Sequence, residues 1–220
     1  MGRRKLDKFK DNDQSDYVIQ PGKDIFENIK GKWRETYFRN DNPLILELAC
    51  GRGEYTIGLA RVFPERNFVG VDIKGPRIWR GMKIAEEKSL RNVGFLRGHI
   101  QNLEDFFEEN EVDGIWITFP DPRPKGRDER RRLTHERFLE MYGKILKPGG
   151  WLCLKTDNEG LFDYSLEVLS NWNNVLDLEY TSDLYNSELL KDHYGIKTTY
   201  EKKYLEDEIP IKYLKFRFPD

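Results

Sequence analysis

At 220 residues and 26.2 kDa, with 13% aromatics for core material, the chain suits one large domain that buries roughly 70% of its unfolded surface without a metal or disulfide. Cys50 and Cys153 sit in apolar runs with no C-x-x-C, and the three histidines are scattered. That composition excludes a disulfide scaffold, a cysteine zinc site and an H-E-x-x-H helix, so no metal is expected. A net charge of -2 is no gross signal for nucleic acid, no apolar run approaches the roughly 18 residues of a membrane span, and the basic N-terminus lacks an apolar signal core; a soluble cytoplasmic protein is the expectation.

Residues 1–20 are polar and read as a flexible basic arm, with 21–220 as a single domain. Ile25, Ile29, Trp33 and Tyr37 recur every four positions and predict an amphipathic helix. An alternation then begins. Leu44–Leu48 reads as a strand, followed by Gly51-Arg52-Gly53 and a helix ended by Pro64. Phe68–Val71 is a second strand closing on Asp72, and Pro76 opens a helix to about Leu90. Val93–Leu96 and Gly114–Phe119 read as strands on either side of a short helix at Leu103–Phe107. A proline-rich loop and basic segment follow, then a helix through Phe138, Met141, Tyr142 and Ile145, strand Trp151–Lys155 and a helix from Glu159 to Leu169. Val175–Thr181 and Tyr213–Phe218 are strand-like, with a loop between them.

Five β-α alternations with short links predict a doubly wound, mostly parallel α/β sheet of about seven strands with helices on both faces. Such sheets bind ligands outside the carboxyl ends of their strands, where Glu47, Gly51, Asp72, His99, Asp121 and Asp157 fall. In Glu47-Leu48-Ala49-Cys50-Gly51-Arg52-Gly53, glycines permit a tight turn and close backbone approach. Asp72, nineteen positions beyond Gly53, can accept hydrogen bonds from both hydroxyls of a ribose. A nicotinamide dinucleotide site wants a third glycine where this chain has Thr56. S-adenosylmethionine carries no phosphate and has a cationic amino group, which suits the extra carboxylate of Glu47. The loop resembles the first motif of class I S-adenosylmethionine methyltransferases, a Rossmann-like fold, and Leu146-Lys147-Pro148-Gly149-Gly150 resembles the turn before their fifth strand.

Three prolines in Phe119-Pro120-Asp121-Pro122-Arg123-Pro124-Lys125 stiffen the loop that carries Asp121. From Arg123 to Arg132 six basic residues stand against Asp128 and Glu129, a local strip suited to phosphates. This F-P-D-P-x-P-K block with its basic run ending R-R-L, together with Thr156-Asp157-Asn158 and Thr198-Thr199-Tyr200-Glu201, resembles the bacterial tRNA (guanine-N(7))-methyltransferases over residues 40–218.

The resemblance implies an enzyme that turns S-adenosylmethionine into S-adenosylhomocysteine and methylates N(7) of a guanosine in the variable loop of tRNA. Cofactor residues would be Glu47, Gly51, Gly53, Asp72, His99 and Asp121; Asp121 would also be catalytic. Substrate contacts would be Lys125, Arg127, Arg130, Arg131, Arg132, Asp157, Thr198, Thr199, Tyr200 and Glu201. Two positions depart from the family: Arg123 stands where Trp is common, and His99 where an acid usually meets the adenine amino group. Guanine N(7) has an in-plane lone pair and no hydrogen, so the reaction needs positioning and charge stabilisation rather than a proton-removing base. No membrane or obligate protein partner is implied, and a monomer or homodimer is expected. The competing readings are a methyltransferase with another nucleic-acid or small-molecule acceptor, a nicotinamide-dependent oxidoreductase, and a non-catalytic RNA-binding relative.

Overall fold

The computed structural model describes residues 3–219. Helix α1 (Arg3–Gln14) and the two-residue strand β1 (Val18–Ile19) precede α2 (Asp24–Asn28) and a π-helical turn at Trp33–Phe38. The alternation then runs β2 (Leu44–Leu48), α3 (Glu54–Val62), β3 (Asn67–Asp72), α4 (Gly75–Glu87), β4 (Val93–Arg97), a 3-10 turn at Ile100–Asp105, and β5 (Val112–Thr118). A second 3-10 turn at Gly126–Arg131 leads to α5 (Glu136–Ile145), β6 (Leu146–Thr156), α6 (Glu159–Asn171) and β7 (Leu176–Thr181). Two further 3-10 turns, α7 (Thr199–Glu206) and β8 (Lys212–Arg217) complete the described chain.

Among the described residues eight strands form one sheet in the order β1-β4-β3-β2-β5-β6-β8-β7. Of these, β8 alone is reversed in direction, pairing antiparallel with both β6 and β7. This is the expected doubly wound, mostly parallel α/β architecture, with β1 added as a short edge strand too brief to show an apolar pattern. Sheet order reverses at β2, which lies between β3 and β5, so a crevice opens beyond the carboxyl ends of β2 and β5.

The period of two along each strand divides the core into two layers. Leu44, Leu46, Leu48, Ile115, Ile117, Leu152 and Leu154 face one layer, closed by α5, α6 and the Trp33 turn. Ile45, Phe68, Trp116, Cys153 and Tyr213 face the other, closed by α3, α4 and the segment between β7 and β8. Glu47 and Thr118 continue that second face at the crevice end, where apolar burial gives way to a polar cluster.

Three segments differ from the sequence expectation. The helix predicted through Tyr37 breaks at Gly31, whose φ of +71° ends the first turns before Trp33. The basic arm is helical and docked: α1 packs along α4, Trp79 donates to Asp11 at 2.7 Å, and Lys8 lies 4.5 Å from the Trp79 ring centroid. Asn12 and Ser15 are buried there, Asn12 donating to the Gly75 carbonyl at 3.0 Å. The loop expected between the last two strands contains α7, which forms one wall of the crevice.

Candidate active site

Ala49, Gly51 and Gly53 between β2 and α3 have φ of +58°, +56° and +68°, so the chain reverses within a few residues. The Cys50 amide donates to the Val71 carbonyl at 3.1 Å, and the Gly51 amide donates to Asp72 Oδ2 at 3.0 Å. Asp72 Oδ1 accepts from the Lys74 amide at 2.8 Å. One carboxylate thus fastens the glycine loop to the end of β3 where it borders the cavity. Around Gly51 the nearest atom to an added Cβ would be the Ala49 carbonyl oxygen, 3.9 Å away, which leaves the loop open to a ligand. Gly53 is different. An added Cβ would lie 2.5 Å from the Phe95 ring, so this glycine serves the packing of α3 against α4 and does not line the cavity.

Glu47 is buried beneath this loop. Its Oε2 accepts from the Thr56 amide at 2.7 Å and from the Thr56 hydroxyl, while Oε1 accepts from Thr118 at 2.6 Å. Burial pushes its carboxyl up to about 7, against the pull of these donors and of Lys155. Thr56 and Thr118 join the site without having been expected there; Thr118 directly precedes the F-P-D-P block and is the more readable of the two.

The crevice has two adjoining lobes of about 590 and 470 Å³. The larger brings together Glu47, Gly51, Asp121, Asp157, Thr198, Thr199 and Tyr200; the smaller contains His99, Gln101 and Arg131. Asp72, Asp121 and Arg123 border both. A separate cavity of about 610 Å³, walled by Trp116, Trp151 and Tyr213, lies toward the amino ends of the strands and holds none of the expected residues.

Asp121 projects from the proline loop. Its Oδ1 accepts from the Arg123 amide at 3.2 Å, and its Oδ2 lies 3.3 Å from Arg123 Nε. Across the larger lobe, Thr198 caps α7 by accepting from the Glu201 amide at 3.1 Å. Thr199 is anchored by Glu54, which accepts from its amide at 2.7 Å, and Tyr200 stays exposed. Tyr204 borders the same lobe as Asp157; burial, then the charge of this carboxylate, pushes the Tyr204 phenol above its usual range.

Glu201, expected on the substrate, points away from the cavity. It is fully buried, with Lys155 Nζ at 2.7 Å, His193 Nε2 at 2.9 Å and the Tyr185 hydroxyl at 3.1 Å. Burial alone would raise its carboxyl, but His193 and Lys155 outweigh that and leave it below the ordinary value. In this arrangement Glu201 braces α7 against Lys155 of β6.

The basic segment divides in the same way. Lys125, Arg127 and Arg130 are exposed outside the cavity walls, and Arg131 borders the smaller lobe while pairing with Asp128 at 3.1 Å. Arg132, expected on phosphate, turns inward: its Nε donates to the Arg123 carbonyl at 3.2 Å and its guanidinium stacks 4.2 Å from the Tyr164 ring. Arg52, Lys74 and Arg77, exposed on the larger lobe, extend the positive rim. No local run joins these three, so nothing in the sequence announces them.

The sheet order, the glycine loop tied to the acid ending β3, and the acids at the ends of β5 and β6 define a class I methyltransferase. Solved structures agree at the level of fold: an antibiotic-related methyltransferase matches with a TM-score of 0.61 at 16% identity, covering 84% of this chain and 92% of that one. The 16S rRNA methyltransferase KamB matches with a TM-score of 0.59 at 16% identity, covering 86% and 92%. A family model described as putative methyltransferase matches residues 41–214. A tRNA (guanine-N(7)-)-methyltransferase of Cytophaga hutchinsonii is 52% identical over 99% of both chains. Proteins of the same name are 45% identical in Bacteroides thetaiotaomicron, over 100% of this chain and 87% of that one, and 37% identical in Clostridioides difficile, over 95% of both. The chain belongs to the tRNA (guanine-N(7)-)-methyltransferase family.

Proposed function

We propose that this protein methylates N(7) of a guanosine in the variable loop of tRNA, with Asp121 opposite the reacting base. The observation that carries the reading is the meeting of Asp72, Asp121 and Asp157 with the α7 N-terminus on one crevice bordered by arginines and lysines.

The residues fit S-adenosylmethionine. The Gly51 loop leaves open space, Asp72 offers acceptors suited to ribose hydroxyls, and Asp121 supplies negative charge for a cationic ligand, with the Glu47 carboxyl bordering the same lobe. His99, Ile100 and Gln101 border the smaller lobe, where adenine would lie against them. When bound, S-adenosylmethionine supplies an electrophilic methyl group on a positively charged sulfur.

The protein's own task is then positioning. Asp157, Thr199 and Tyr200 orient the base, and Lys125, Arg127, Arg130 and Arg131 hold the RNA backbone. Guanine N(7) needs no proton removed, so Asp121 acts by charge, stabilising the cation that develops on the base. The product side is S-adenosylhomocysteine and a positively charged N(7)-methylguanosine. A cytoplasmic setting and a monomer or homodimer complete the reading.

Methyl transfer from tritiated S-adenosylmethionine to total tRNA, followed by aniline cleavage, tests it. Label at an aniline-sensitive guanosine in the variable loop is expected. Label in tRNA without such cleavage would redirect the assignment to another acceptor atom.

A further inference from the structure

Asp121, the carboxylate that should face positive charge, already has a cation on it. Arg123 reaches it twice, through its amide at 3.2 Å and through Nε at 3.3 Å, and borders both lobes of the crevice. The Arg123 backbone is fixed. Its φ of +50° lies in the left-handed region between Pro122 and Pro124, and its carbonyl is held at 3.2 Å by Arg132, which is stacked in turn on Tyr164. The side chain is not fixed to the same degree. The Asp121 and Arg123 side chains are 62% and 40% exposed, so the pair is screened by water and readily exchanged for a stronger anion. A phosphate is such an anion, and Arg131 and Arg137 border the same lobe.

We propose that Arg123 couples RNA docking to the cofactor side of the site. In the free protein its guanidinium pairs with Asp121, and an RNA phosphate draws it away and frees the carboxylate for the positive charge of the bound cofactor. The inference rests on the proposed RNA substrate. By linkage, RNA must then tighten binding of a cationic cofactor by the same factor as the cofactor tightens binding of RNA.

Calorimetric titration with sinefungin, an unreactive analogue carrying an ammonium at the sulfonium end, reads this without turnover. In the wild type, saturating total tRNA should tighten sinefungin binding about two- to fivefold, the size of one exposed ion pair. Arg123→Gln should bind sinefungin at the tightened level without tRNA, and tRNA should add nothing. Arg123→Lys, which keeps the charge, should retain part of the tRNA effect and so separates loss of charge from loop damage. An equal tRNA effect in wild type and Arg123→Gln would overturn the proposal, as would weaker sinefungin binding by Arg123→Gln alone. Nucleoside analysis of the same tRNA after incubation with wild type and S-adenosylmethionine reports separately on the function: methylated guanosine with no coupling removes the Arg123 role only, whereas an unmethylated tRNA removes the assigned reaction.

Discussion

Asp72 ends β3 and Asp121 sits on the loop after β5, and both border the same two lobes with different partners. Asp72 is buried and tied to two backbone amides, whereas Asp121 is exposed on a stiff loop. Asp72→Ala should therefore weaken S-adenosylmethionine binding by the value of a charged hydrogen bond, about 1.5–3 kcal/mol, with tRNA binding largely kept. Calorimetry on the folded variant checks it, and an unchanged affinity would remove Asp72 from the site. Asp121→Asn keeps size and one acceptor oxygen but removes the charge. Single-turnover methylation at saturating substrates should slow on the order of 100- to 1000-fold while cofactor affinity changes far less. A rate within about threefold of wild type would leave the loop as scaffold only.

At the level of elements, a buried ionic cluster governs the placement of α7. Lys155 on β6 and Glu201 on α7 are both fully buried, and burial pushes the Lys155 ammonium below its ordinary value even with Glu201 beside it. Glu201→Gln leaves that lysine without its counter-charge and should destabilise the fold by about 3–5 kcal/mol in urea denaturation. Adding Lys155→Met should recover part of the loss; a double variant as unstable as the sum of the singles would deny the pairing. The same cluster explains why α7 is invisible to hydrophobic periodicity: its fully buried residue is a charged one. The N-terminal helix escapes for a similar reason, docking through Asn12 and a lysine over Trp79. The basic segment makes a further contrast. Replacing Arg127, Arg130 and Arg131 by Gln should flatten the salt dependence of tRNA binding, by about 0.7–0.9 in log–log slope for each phosphate no longer neutralised. Arg132→Gln should leave that slope nearly unchanged, since Arg132 holds the Arg123 carbonyl instead.

Over the whole molecule, the parts legible in the sequence are those that follow apolar periodicity and strand-end chemistry. The sheet, the Gly51 loop, Asp72 and the Asp121 loop stand where spacing puts them, because a strand that buries both faces and an acid at its carboxyl end leave a local signature. Gly53, Arg132 and Glu201 depart from expectation because tertiary structure supplies their partners. Phe95 and Lys155 come from other strands, and the Arg123 carbonyl is presented by a left-handed backbone. Buried Glu47 also acts on global stability. Its carboxyl titrates near 4.5 when unfolded and about 7 when folded, so the folded state holds the proton more tightly and stability falls as pH rises between those values. Glu47→Gln should remove that fall, so the variant gains on wild type from about pH 5 to 7 in denaturant titrations; parallel curves would mean Glu47 is ionised in the fold. The reaction itself turns on the acceptor atom. Nucleoside mass spectrometry of unmodified total tRNA incubated with the protein and S-adenosylmethionine reads that atom directly. N(7)-methylguanosine is expected as the new nucleoside, and a methyl group on any other nucleoside or atom, with no N(7)-methylguanosine, would contradict the assignment.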